Sequence, residues 1–165
     1  MDPLNLIELG FIKILFPNSK IIFAIRHPLD CIISCVLTSF KMNDGMVNFE
    51  NINTASFFYN ECFELLHKYF AFHKIEYHPI KYENLIKNFK HEIDNLIKFL
   101  KLSHDENIYN FQKTAMEREK INTPSYDQVV QPIYTSSINR YKNFKEIHNI
   151  KTDIDYWINK YSYKK

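Results

Sequence analysis

The residues best placed to do chemistry are an arginine and a serine. Arg26 closes the run Lys20-Ile21-Ile22-Phe23-Ala24-Ile25, and Ser34 lies in the helix predicted to follow it. A guanidinium offers a forked pair of donors that matches two phosphate oxygens, and a hydroxyl beside it adds a neutral donor. Thr38 falls one further helical turn along the same face. Together these groups ask for a phosphate near Arg26. The spacing alone is met equally by a surface arginine and a serine filling a packed helix. Cys31 and Cys35 are one helical turn apart, but the three cysteines are an odd number and none of the seven histidines stands at HxxxH or HxH spacing. The two thiols read as small residues packed on a helix face, and no metal is expected.

The elements around Arg26 give the spacing its meaning. Residues 20–25 are apolar and mostly β-branched or aromatic after the lysine, which predicts a strand buried on both faces of a parallel sheet. Pro28 suits a first helical turn and Asp30 complements its dipole, so a helix is expected through about Phe40. In open α/β sheets, anions bind beyond the carboxyl ends of the strands, and Arg26 is the first residue there. Thr54 is read as the cap of a long helix carrying Phe57, Phe58, Cys62, Leu65, Leu66, Tyr69 and Phe72. A second strand over Ile75 to Lys81 and an amphipathic helix from about Phe89 to Leu100 follow. Strand, helical connection and strand make the fold class α/β.

Two flanking regions complete the pattern. Helical spacing recurs from Leu4 to Phe16 and from Ser103 to Lys120. Asn122 to Ser137 then carries two prolines, five Ser or Thr hydroxyls and two glutamines. That is a polar loop able to present donors and acceptors without the net charge a Lys-rich loop would bring. Short helices are expected around Ile138 to Phe144 and Thr152 to Tyr161, anchored by Tyr156 and Trp157.

Composition narrows the class. The 165 residues are 45% hydrophobic and 24% charged with only two glycines, as in one compact domain over 1–165. A formal net charge of +2 gives no bulk field to recruit nucleic acid or an anionic membrane. No apolar run approaches the roughly 18 to 20 residues of a membrane span. Met1-Asp2-Pro3-Leu4-Asn5 lacks the start of a signal peptide, so a soluble, cytoplasmic protein is expected.

The stretch Phe16-Pro17-Asn18-Ser19-Lys20-Ile21-Ile22-Phe23-Ala24-Ile25-Arg26-His27-Pro28-Leu29-Asp30-Cys31-Ile32-Ile33-Ser34 resembles the 3′-phosphate-binding strand and helix of sulfotransferases. Ile80-Lys81-Tyr82-Glu83-Asn84-Leu85 is similar to that family's Y-E-D/N-L segment. Asp127 to Tyr141 resembles the late loop of bacterial sulfotransferases with tetratricopeptide repeats upstream and, more distantly, of tyrosylprotein sulfotransferases. The resemblance implies a P-loop-nucleotidase-like fold and 3′-phosphoadenosine-5′-phosphosulfate (PAPS) as cosubstrate. It implies that Arg26, Ser34 and Arg140 hold the 3′-phosphate, that Tyr82 lies near the nucleotide and that Ser125 reaches the sulfate-bearing end. The acceptor would be a hydroxyl compound.

Sulfotransferases hold the 5′-phosphosulfate with a Pro-x-Ser-Gly-Thr-like loop. Gly10 and Gly45 stand in no such loop. That loop, the first strand and the general base are expected upstream, so these residues read as the carboxyl-terminal part of a sulfotransferase domain. His27 is given no catalytic role. The second reading is a non-catalytic nucleotide-binding or interaction module that kept the 3′-phosphate grip. A sheet without its first strand is expected to be marginally stable, or to associate with copies or a partner segment. A kinase relative would need a Gly-rich loop with a lysine, which is missing here.

Overall fold

The computed structural model describes residues 3–38, 40, 43–111, 113 and 133–164. After a 3-10 turn over Pro3–Leu6, a short helix α1 spans Leu9–Leu15. Strand β1 follows over Ile21–Ile25 and strand β2 over Tyr77–Lys81. They pair in parallel, Ile21 opposite Tyr77 through Ile25 opposite Lys81. Parallel neighbours need a long crossover. Helix α2 over Pro28–Leu37, a 3-10 turn over Met46–Phe49 and helix α3 over Ile52–Phe72 provide it. Helices α4 over Tyr82–Lys87 and α5 over Phe89–Leu100 come next. Three 3-10 turns over Glu106–Asn110, Arg140–Asn143 and Lys145–Asn149 precede helix α6 at Asp155–Lys160. The expected α/β arrangement is present as this small parallel sheet with helices around it. Among the described residues, no helix is long and apolar enough to cross a membrane.

The core is aromatic and lies on one face of β1. The Phe23 ring sits 6.0 Å from Phe63, 5.6 Å from Phe70, 5.8 Å from Tyr77 and 6.1 Å from Tyr161. Trp157 on α6 is buried against α3, where its indole N–H donates to Asn60 at 2.9 Å and its ring stacks on His67. Its neighbour Tyr156, expected as a second anchor, is half exposed.

Several expectations change in register or phase. β1 is not buried on both faces: Phe23 and Ile25 are buried while Ile22 is 45% exposed. An uninterrupted apolar run carries no period, so its faces cannot be told apart from sequence. α2 ends at Leu37 rather than Phe40, because the Thr38 hydroxyl turns back to the Ser34 carbonyl at 2.6 Å and its backbone goes extended. The cap of α3 is Asn51, whose side-chain oxygen accepts from the backbone N–H of Asn53 and Thr54, both at 3.0 Å. Thr54 is already inside the helix. The buried stripe of α3 runs through Ala55, Tyr59, Cys62, Phe63, Leu66 and Phe70, leaving Phe57 and Phe72 exposed. Aromatic residues on several sides of α3 left its phase ambiguous.

Candidate functional site

The register of the sheet builds the site. Because Ile25 pairs with Lys81, the next residues, Arg26 and Tyr82, emerge side by side at the carboxyl rim. The Arg26 guanidinium carbon lies 5.1 Å from the centre of the Tyr82 ring, a cation–π contact. One Arg26 N–H group donates to the Ser137 carbonyl at 2.6 Å, and the Tyr82 hydroxyl is hydrogen-bonded to the same residue. Three distant segments therefore meet at one cation.

The Arg26 Nε is buried and has no hydrogen-bond partner among the described residues. A charged donor left in that state costs about 1 to 3 kcal/mol or more, so a site of this kind favours an anionic acceptor. Burial pushes the Tyr82 phenol up, with the Ser137 bond and the Arg26 charge opposing. The hydroxyl stays protonated at neutral pH and can donate.

Helix α2 carries two thiols within the electrostatic reach of this cation. Cys31 and Cys35 are hydrogen-bonded to each other, which holds Cys31 below the usual thiol range and, with burial, pushes Cys35 well above it. The Arg26 charge acts on both. Ser34 is half-buried on the same helix, beside Cys35 in sequence. Both cysteines are free thiols, and among the described residues no three His, Cys, Asp or Glu side chains gather to hold a metal ion.

Arg140 begins the 3-10 turn over Arg140–Asn143 and is exposed. Its neighbours are fixed from below. The Asp30 carboxylate accepts the backbone N–H of Asn139 through one oxygen and that of Tyr141 through the other, both at 2.8 Å. Ser125 lies outside the described residues.

Sequence reasoning missed three residues of this region. Asp30 was read only as a dipole complement to α2, yet it is 1% exposed and holds the late segment. His27 is buried, stacked on Tyr141 with centroids 4.4 Å apart, and within 3.2 Å of the Lys164 carbonyl through Nε2. Burial holds its imidazole below the usual range, opposed by the Lys164 contact and the nearby Asp30 and Glu83 carboxylates. Glu83 accepts the His27 backbone N–H at 3.0 Å and the Tyr163 hydroxyl at 2.6 Å. The one available signal was position: Asp30 and Glu83 each sit in the first turn of a helix that follows a strand, at the carboxyl rim of the sheet. A surface depression of about 280 Å³ lies elsewhere, between Ile7 and the Phe58 to Lys68 part of α3.

Comparison with known proteins identifies the family. Residues 1–106 match the model of the sulfotransferase family, a span that includes Arg26, Ser34 and Tyr82 and stops before Ser125 and Arg140. An uncharacterized protein of Aquifex aeolicus (strain VF5) is 23% identical over 145 residues, covering 87% of this chain and 19% of the relative. The chain thus spans about a fifth of the length of that curated relative. With the family model matching well over half its length, the chain belongs to the sulfotransferase family.

Proposed function

We propose that this chain grips the 3′-phosphate and adenosine end of PAPS, as part of a sulfotransferase that moves a sulfuryl group to a hydroxyl acceptor. The observation that carries the reading is the Arg26 guanidinium, held at the carboxyl rim with its Nε buried and unpartnered among the described residues. It fits a phosphate by charge and by donor geometry. Tyr82 packs against the guanidinium and limits its swing, Ser34 adds a neutral donor from α2, and Arg140 adds a second cation from the late segment. PAPS brings the activated sulfuryl group; the residues described here bind and orient its nucleotide end. Ser125 is assigned to the sulfate-bearing end by its place in the late loop.

The same reading carries a P-loop-nucleotidase-like fold. It also carries a kinship with bacterial sulfotransferases that have tetratricopeptide repeats upstream, supported by the likeness of residues 127–141 to their late loop. The second reading is a nucleotide-binding module without transfer activity that keeps the same grip on the 3′-phosphate. The burial of His27 in a ring stack agrees with either reading, because the general base of the first is expected upstream.

Calorimetry with adenosine 3′,5′-bisphosphate tests what both readings share. Arg26→Ala is expected to weaken binding roughly ten- to hundredfold, and AMP, which lacks the 3′-phosphate, to bind the parent chain much more weakly. Equal binding by Arg26→Ala and the parent would remove Arg26 from the site. Sulfate transfer from PAPS by the full-length protein then separates the enzyme from the module.

A further inference from the structure

We infer that Asp30 is a positioning residue for Arg140: its buried carboxylate fastens the late segment onto the first turn of α2 and so fixes where the second cation stands. The inference rests on the 3′-phosphate reading above and adds to it the residue that sets the site's second charge.

The geometry is specific. α2 has no side-chain cap, and both oxygens of Asp30 face away from their own helix, each taking one backbone N–H of the late segment at 2.8 Å. The two donors belong to Asn139 and Tyr141, the immediate neighbours of Arg140. A carboxylate accepting two N–H groups is a charge-assisted clamp, stronger than two neutral bonds and fixed in orientation. It is 1% exposed, so water does not compete for it.

Two further features hold the same segment. Tyr141 is buried and stacks on His27 at 4.4 Å, and Asn139 has a left-handed backbone with φ 57°, a conformation that asparagine tolerates and β-branched residues resist. On the other side, the Ser137 carbonyl is held by Arg26. Arg140 is thus an exposed residue, beside exposed Asn139, in a stretch pinned at 137, 139 and 141 to residues 26, 30 and 27. The backbone of the second cation is attached to the strand–helix junction that carries the first.

Calorimetry on the full chain tests this, with adenosine 3′,5′-bisphosphate and AMP titrated into the parent, Asp30→Asn, Arg140→Ala and the double variant. Asp30→Asn is expected to weaken the bisphosphate about tenfold and to leave AMP unchanged. The double variant is expected to bind no more weakly than Arg140→Ala alone, since a residue acting through another adds nothing once that other is gone. Independent, multiplying losses overturn the proposal, as does an equal loss for both ligands, which marks general unfolding. Amide exchange at Asn139 and Tyr141 reads the clamp without any ligand and is expected to accelerate in Asp30→Asn. Faster exchange with unchanged bisphosphate affinity overturns the positioning role alone. A parent that binds bisphosphate and AMP alike overturns the 3′-phosphate reading on which it rests. Should Asp30→Asn fail to fold, Asn139→Val strains the clamp from the loop side, leaves α2 intact and is expected to show the same ligand pattern.

Discussion

Arg26 and Tyr82 touch because two strands end in register, and each contributes separately to the candidate site. Tyr82→Phe keeps the ring beside the guanidinium and removes only the bond to Ser137. It is expected to weaken adenosine 3′,5′-bisphosphate by about three- to tenfold, with Tyr82→Ala, which also frees the arginine, weakening it further. Titration would rank the two. A second residue-level expectation concerns acid. Burial lowers the imidazoles of both His27 and His67 from 6.5, so the folded chain resists protons that the unfolded chain accepts. Their contribution to stability is complete above about pH 6.5 and is lost progressively as the pH falls through and below that value. Urea midpoints measured from about pH 7 down to 5 should therefore fall, and fall less steeply in His27→Gln; a slope unchanged by that substitution would exclude His27 as a contributor. The place of Arg26 directly after a strand was legible in the sequence, whereas Tyr82 was singled out by the resemblance of residues 80–85 to a family segment. Asp30 and Glu83 were not legible, because what they bind lies 109 and 111 residues away for the one and 56 and 80 for the other.

Among the elements, existence was easier to read than phase. The long helix α3 followed from its apolar spacing, but aromatic residues around it hid which stripe is buried until Phe23 and Trp157 were seen to meet Phe63. Its start was misplaced for a related reason. Asn51, Asn53 and Thr54 can all cap, and only the backbone conformation at Asn51, φ −144° and ψ 164°, selects among them. Asn51→Ala is expected to cost about 1 kcal/mol of stability and Thr54→Ala only a few tenths, as thermal unfolding of the two variants would show. The reverse order would return the cap to Thr54. Helix α6 buries Trp157 and Ile158, of which Trp157 is the larger. Trp157 is 1% exposed and bonded to Asn60, so Trp157→Ala is expected to cost about 3 to 5 kcal/mol, a loss that a domain of ordinary stability barely survives.

For the molecule as a whole, the apolar surface is uneven. α1 and the residue after it expose Phe11, Ile14, Leu15 and Phe16, and the open face of β1 adds Ile22. Large apolar side chains exposed along one short segment favour association. The isolated chain is expected to self-associate in sedimentation measurements, and Phe11→Glu with Ile14→Glu to shift it towards monomer; a monomeric parent would refute this. The join between Asp30 and residues 139 and 141 has a consequence for how the chain acquires its shape. Contacts so far apart in sequence close late, after local helices have formed, because the intervening loop entropy must be overcome first. During synthesis, Arg26 and Tyr82 can meet while the late segment is still inside the ribosome, giving half of the proposed site. The second cation arrives only when residue 141 has emerged and docked. A nucleotide that requires both cations would then recognise finished chains over nascent ones and hold closed the last contacts to form.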